Sequence, residues 1–265
     1  MLTVRALQSG SSGNAFLVET DEVALLLDAG LSCLRLERYL EELRIEPTRL
    51  GGIVLTHEHS DHAHGVCSIA GKYGLPVYAT AGTIAQLRLD DEECDTVPVA
   101  PERPFTLGDV SLTPFLVQHD AAEPVGLLIE HRGARVALAT DLGVVDDRTM
   151  DWLAMAELLI LESNHDWDRL WRGPYPMMLK RRIAGDRGHL SNVQAAACAS
   201  RCAERGRMRW LWLAHLSETN NTQKAARETV GARLRGGSVS VGCLRRRGPS
   251  LTWRSAEAYV QTRLF

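Results

Sequence analysis

The run GGIVLTHEHSDH, residues 51–62, decides how the rest of the chain is read. Its first half is a short apolar segment opened by two glycines, the pattern of a buried β-strand. Its second half gathers His57, His59, Asp61 and His62 into six residues, spaced HxHxDH. On an extended segment, side chains at i and i+2 face the same way, so His57 and His59 can grip one metal ion. A helical turn after them aims Asp61 and His62 at a second. Imidazole nitrogen and carboxylate oxygen suit Zn²⁺, and also Mn²⁺ or Fe²⁺. The competing reading is a polar loop with surface histidines. The chain has nine histidines in 265 residues, and three of them in this run favour the metal reading.

Outward from this run, strand after strand closes on a residue able to hold metal. Strands at 23–29, 51–57, 110–119, 134–141, 156–163 and 207–215 end at or beside Asp28, His57, His119, Asp141, Glu162 and His215. In open α/β sheets, sites collect beyond the strand ends, so these side chains are expected to converge on one edge. Further strands are read at 4–7, 15–19, 75–80, 124–133, 238–242 and 250–254, with a hairpin at Gly133. Helices are expected at 32–44, 63–73, 82–90, from about 191, and at 222–235. There is no repeat, low-complexity tract or linker. One domain over 1–265 is therefore expected, with a substrate-facing insertion at about 164–190.

Composition narrows the class. The chain is 45% hydrophobic with a net charge of −3, so neither disorder nor general basicity describes it. No apolar run is long enough for a membrane span, and the N-terminus lacks a signal-peptide pattern, which leads us to expect no membrane association and a cytoplasmic setting. Six cysteines form no CxxC pair, and Cys198 and Cys202 read as small buried side chains.

The HxHxDH turn resembles the signature of the metallo-β-lactamase superfamily. That resemblance implies an α/β fold, a four-layer αββα metallo-β-lactamase sandwich with two mostly antiparallel or mixed sheets. It assigns His57, His59, His119 and Asp141 to one divalent ion, and Asp61, His62, Asp141 and His215 to a second, each Zn²⁺ or Mn²⁺. A shared aspartate points within the superfamily to phosphodiester chemistry, in which Asp61 also orients the attacking water. Finer motifs resemble the YycJ-like (WalJ) branch, related to RNase Z, RNase J and the phosphodiesterases. They are LQSGSSGNAFLVE (7–19), QHDAAEPVG (118–126), LESNHD (161–166), GPYPMMLKRRI (173–183), GHLSN (188–192) and LAHLSETNN (213–221).

These stretches also carry readings of their own. The loop with Ser11, Ser12 and Asn14 can cradle a phosphate on backbone N–H groups, or can be a plain hairpin turn. In GHLSN, Ser191 or Asn192 reads as a helix cap, whereas His189, by resemblance, protonates the leaving oxygen or holds the scissile phosphate. Residues 169–187 carry Arg169, Arg172, Lys180, Arg181, Arg182 and Arg187 against one acid, Asp186. That charge suits a phosphate-backbone track through Lys180 and Arg182, or a solvated face. Trp167, Trp171 and Tyr175 stack on bases or pack the segment onto the core. His165, Ser217 and Asn220, which follow the strand ends at Glu162 and His215, and Asn192 of GHLSN are taken as substrate contacts. The run Arg245-Arg246-Arg247 reads as a surface turn away from the site.

The resulting expectation is a dinuclear metal-dependent phosphodiester hydrolase. The leading reading is a 5′-to-3′ DNA exonuclease acting on a duplex end. The alternatives are an RNA nuclease, a small-molecule hydrolase of the same fold such as a cyclic phosphodiesterase or lactonase, and a non-enzymatic regulator.

Overall fold

Strands covered on both faces lose the polar alternation of a surface sheet and become continuous apolar runs. AFLVE and ALLL, the second and third strands, are of this kind and are buried throughout. The structure is a computed structural model and describes residues 1–89, 94–234 and 237–255. The last residues of the helices expected at 82–90 and 222–235 lie outside the described residues.

One seven-stranded mixed sheet contains β1 (Thr3–Gln8), β2 (Ala15–Glu19), β3 (Ala24–Leu27), β4 (Leu50–Val54), β5 (Val77–Ala79) and β6 (Thr96–Pro98). The other contains β7 (Phe105–Leu107), β8 (Val110–Leu116), β9 (Val125–His131), β10 (Ala134–Ala139), β11 (Leu158–Glu162), β12 (Trp210–Ala214) and β13 (Ser240–Cys243). The chain then returns to the first sheet as β14 (Thr252–Arg254), antiparallel to β1. The β9–β10 hairpin turns at Arg132 and Gly133, both at positive φ, as its short right-twisted connection demands.

Helices cover the outer faces. α1 (Cys33–Glu42), α2 (Ser60–Ala63), α3 (Val66–Tyr73) and α4 (Ala81–Leu87) come from the first half, and α5 (Asp147–Leu153), α6 (Trp167–Arg172), α7 (Met177–Ile183), α8 (Asn192–Glu204) and α9 (Gln223–Arg233) from the second. Three apolar layers follow. One lies between the sheets and includes Phe16, Leu127, Ile160 and Trp212. One joins the first sheet to α1 and α3 through Leu17, Leu26, Leu40 and Ile69. One joins the second sheet to α5, α8 and α9 through Leu159, Met150, Ala199 and Val230. The result is the expected αββα sandwich.

Several elements differ from expectation. β6, β7 and α5 were not anticipated; each is only three or seven residues long, too short for a periodic signal. Segment 164–190 forms α6 and α7, so its Arg, Trp and Pro content does not keep it irregular. β8 stops at Leu116, leaving His119 in the following loop. Ser191 is the cap of α8 and forms a reciprocal pair with Gln194; Asn192 is already helical.

Parallel pairing of β3 with β4, and of β10, β11 and β12, places their C-terminal ends along common edges. The HxHxDH turn is locked there by close backbone approach. The N–H of Asn14 donates to the carbonyl of Asp61 at 2.7 Å, and the N–H of Gly30 donates to Asn14. A Cβ on Gly30 would lie 1.7 Å from the Asp61 carbonyl oxygen. Gly30→Ala is therefore expected to destabilise the protein by about 3 kcal/mol, lowering Tm by roughly 6–12 °C. Thermal unfolding of the variant within a degree of the parent would contradict this contact.

Candidate metal centre

Three site residues adopt the left-handed region, although none is glycine: Asp28 (φ 58°), Asp141 (φ 58°) and His215 (φ 51°). All three stand just past strand ends. Such residues persist where the surroundings over-determine them, and they cluster at functional sites. Here the reversed backbone turns each side chain back over the sheet edge.

Ring nitrogens are sorted by their outer partners. Thr56 Oγ1 donates to Asp28 and lies 3.1 Å from His57 Nδ1, which leaves His57 Nε2 facing the site with no partner among the described residues. His119 Nδ1 donates to the Gly188 carbonyl at 3.0 Å, turning Nε2 to within 3.3 Å of His59 Nδ1. Asp28 Oδ2 holds His62 Nδ1 at 2.8 Å, and Glu162 Oε1 holds His215 Nδ1 at 2.7 Å. Each outer partner thus fixes the tautomer and ring orientation of a metal-type ligand.

The inward atoms converge. His57, His59 and His119 bring ligand atoms within 4.8 Å of one another, as do Asp61, His62 and His215. Asp141 joins His57 and His62 in a third such group, between the other two. Its Oδ2 is 2.9 Å from His62 Nε2 yet accepts no hydrogen bond. Buried polar atoms are normally paired, so an orphaned imidazole nitrogen beside an orphaned carboxylate oxygen fits a cation between them. His62 Nε2 also lies 3.0 Å from Asn14 Nδ2, so this side of the site is tightly enclosed.

Burial alone would lower His62 and His215, yet Asp141 and the neighbouring carboxylates raise His62 well above its ordinary pKa and His215 to about 10. Burial first, then the neighbouring His62, holds the His57 imidazole well below its ordinary pKa, in the neutral form that ligates metal. Burial alone would raise the Asp141 carboxyl, but His215 and His62 keep it far below the carboxylate range. Burial opposes ionisation of Asp61 as well; His62 and His215 overcome it and lower its pKa.

Glu162 joins two roles. Its Oε1 takes His215 Nδ1 at 2.7 Å and His189 Nδ1 at 2.9 Å, and its Oε2 accepts the N–H groups of Leu142 and Leu190. Burial alone would raise it, yet His189 and His215 bring its pKa down to about 2. His189, which burial alone would lower, is raised by the Glu162 charge and hydrogen bond. Its ring lines the cleft. In the sequence Glu162 reads as a metal-type residue at a strand end; its hold on two histidines from separate segments has no local signature.

The cleft has a volume of about 380 Å³. One wall is the metal-type cluster, and the other is formed by Tyr175, Leu179, Arg182 and Ile183 of the 164–190 segment. Among the expected substrate contacts, Ser11 and Arg182 reach it, and Arg182 also pairs with Asp120 at 2.6 Å. Ser12 is exposed on the far side of its loop, and its hydroxyl donates to the Arg246 carbonyl. Asn14 is buried as a loop clamp.

The remaining expected contacts turn inward. Lys180 is buried and donates to the Trp171 carbonyl at 2.8 Å, tying α7 to α6 rather than reaching phosphate. Asn192 bonds Ser163 and Asn221. Ser217 accepts from the Asn220 N–H, and Asn220 is wholly buried. His165 is also wholly buried, and burial pushes its pKa down to about 4. A protonated His165 is thus excluded from the fold but allowed in the unfolded chain. Its contribution to stability is full above pH 6.5 and is lost as pH falls towards 4. The loss amounts to about 3 kcal/mol. Urea unfolding from pH 7 to pH 4 should show a smaller pH dependence in His165→Phe; an unchanged slope would refute this origin.

Comparison with known proteins decides the family. The family model described as a β-lactamase superfamily domain matches residues 24–216. The Bacillus anthracis protein named exodeoxyribonuclease YycJ is 38% identical over 242 residues, 89% of this chain and 90% of that one. The Streptococcus pneumoniae exodeoxyribonuclease WalJ is 36% identical over 243 residues, 89% of each. This chain belongs to the β-lactamase superfamily, in the branch that holds YycJ and WalJ.

Solved structures agree on the fold. YhfI of Bacillus subtilis, a metallo-β-lactamase fold protein, superposes with a TM-score of 0.75 at 18% identity, covering 96% of this chain and all of that one. The short form of human tRNase Z superposes at 0.59 and 19% identity, covering 82% and 93%. Its kinship with YycJ and WalJ makes this chain a hydrolase, and its His and Asp cluster is suited to divalent metal. Among the described residues, no helix is long and apolar enough to cross a membrane.

Proposed function

We propose that this chain is a single-domain, dinuclear metal-dependent DNA exonuclease that removes nucleotides from the 5′ end. The observation carrying this reading is His189, held by the buried Glu162 and lining the same cleft as Asp61, in a chain similar over nearly its whole length to proteins named exodeoxyribonucleases. We assign His57, His59, His119 and Asp141 to one ion, and Asp61, His62, Asp141 and His215 to the other, with Zn²⁺ or Mn²⁺ as occupants. Such ions supply an acidified water and neutralise charge on the phosphoryl oxygens.

The chain's own groups do the rest. Asp61, ionised and partly exposed at the cleft floor, accepts a hydrogen bond from the attacking water and orients it. His189 keeps its Nδ1 proton on Glu162, so Nε2 is the nitrogen left to give a proton to the departing oxygen. Arg182 and the exposed Ser11 flank the phosphate position. The apolar wall of Leu179 and Ile183 leaves room for about one nucleotide in a cleft of this size, near the lower end for ligand sites.

A second reading is a small-substrate phosphodiesterase. It is favoured by the fate of the expected basic track, since Lys180 is buried and Arg182 is neutralised by Asp120. One experiment separates the two: end-labelled duplex DNA with a 5′-phosphate, duplex RNA and bis-p-nitrophenyl phosphate, each with Mn²⁺ or Zn²⁺. Stepwise loss from the 5′ end of DNA supports the exonuclease. Turnover of the small diester alone withdraws it and favours the phosphodiesterase.

A further inference from the structure

The Arg245-Arg246-Arg247 turn, remote in sequence, is packed against two segments that border the cleft, the loop at Ser9–Ser12 and the stretch after His215. The Arg246 guanidinium bonds the carbonyls of Leu216 and Asn221, on the segment just after His215. Its own carbonyl accepts from Ser12, and the Arg245 carbonyl accepts from the N–H of Ser9. With Arg246 thus spent on structure, Arg245 and Arg247 face outward and, with Arg38 and Tyr39 of α1, line a groove of about 470 Å³. Tyr39 bonds Gln8, and Gln8 bonds Ser12, so the groove wall runs directly into the Ser11–Ser12 loop. Ser11 lines the cleft itself, and the exposed Ser12 beside it bonds Gln8 and the Arg246 carbonyl, so the serine loop lies between cleft and groove.

Charge in the groove is one-sided. Arg38, Arg245 and Arg247 face the single acid Glu42, which pairs with Arg38 at 3.1 Å, while Glu218 lies 3.7 Å from Arg247. Both pairs are exposed, with Arg38 75% and Arg247 77% accessible, so they contribute little and yield readily to a stronger anion. Among the described residues Arg245 has no ion-pair partner. On a chain of net charge −3, this concentration of arginine is local, not a reflection of composition.

We propose that this groove holds the sugar–phosphate backbone of the strand whose terminal nucleotide occupies the cleft, the strand crossing over Ser11 and Ser12. The proposal rests on the exonuclease reading and extends it: the contacts beyond the terminal nucleotide come from α1 and the 245–249 turn, rather than from the 164–190 segment. Guanidinium groups suit phosphate geometry, and Tyr39 offers an aromatic face beside them.

The test uses the full chain with Mn²⁺ and two substrates, a long 5′-phosphorylated DNA strand and a 5′-phosphorylated dinucleotide. Arg245→Glu/Arg247→Glu is expected to raise KM for the long strand about tenfold and to flatten its salt dependence by about one to two contacts. Turnover of the dinucleotide and Tm stay at the parent values. Arg38→Glu, on a separate element, reproduces the effect in weaker form. An unchanged KM and salt slope on the long strand, with the parent active, overturns the groove alone. A parent that hydrolyses the dinucleotide but never degrades the long strand overturns the exonuclease reading and the groove with it.

Discussion

Asp61→Asn is expected to lower the rate of diester hydrolysis about a thousandfold while leaving Tm within a few degrees of the parent. Its Oδ2 lies 3.2 Å from His215 Nε2 and 3.7 Å from His62 Nε2, and its side chain is 23% exposed to the cleft. Asparagine keeps this shape but removes the charge and one acceptor oxygen. The backbone carbonyl, which holds the turn through Asn14, is untouched, so the fold survives. Rate measurements on bis-p-nitrophenyl phosphate, paired with metal content by elemental analysis, check the result. A variant retaining a tenth or more of the parental rate would remove Asp61 from the chemistry. Loss of metal with loss of rate would assign it to metal binding; loss of rate with metal retained would assign it to water orientation as well.

His189→Ala should lower kcat by about two to three orders of magnitude with little change in KM, because its proton matters only as the ester bond breaks. Glu162→Gln should be at least as damaging. It removes the charge that raises His189 and also loosens His215, since one oxygen serves both rings. The two variants differ in a further readout. His189→Ala retains metal, whereas Glu162→Gln loses affinity, roughly 10–100-fold for a group that orients a ligand. A substrate with an activated leaving group needs no proton from the enzyme. Bis-p-nitrophenyl phosphate should therefore suffer much less from His189→Ala than DNA does. Equal losses on both substrates would make His189 a phosphate-holding group and not the proton donor.

Much of this candidate site is legible in one dimension because several of its proposed ligands come just after strand ends. A parallel sheet edge needs only the hydrophobic run and the residue that closes it, and His57, Asp141 and His215 each carry that signal within a few positions. Asp28 and Glu162 carry it too, but the sequence does not say that they act from behind, on Nδ1 of the histidines. That role depends on which ring nitrogen faces which oxygen across segments up to 53 residues apart. The basic segment misled for a related reason. Charge counting treats Lys180 and Arg182 alike, but helix packing buries the first against Trp171 and leaves the second at the cleft. Ser217, Asn220 and His165 come shortly after strand ends, yet the turns there fold them into the interior, and Asn192, at the start of α8, is turned inward as well; Asn192 and Ser217 satisfy side-chain and backbone partners.

The sequence by itself carried the HxHxDH run and the strand ends at Asp28, His57, His119, Asp141, Glu162 and His215, which follow from local periodicity and residue chemistry. The αββα class and the grouping of His119, Asp141 and His215 with that run came from its resemblance to the metallo-β-lactamase superfamily. Only the tertiary structure decided which polar residues face the cleft and which are spent as clamps, that one carboxylate orders two histidines, and that an arginine turn near residue 246 abuts the serine loop near residue 12. Each of these is a contact between segments far apart in the chain. Their closure is set by sheet order and loop packing, and no local pattern of residues encodes it.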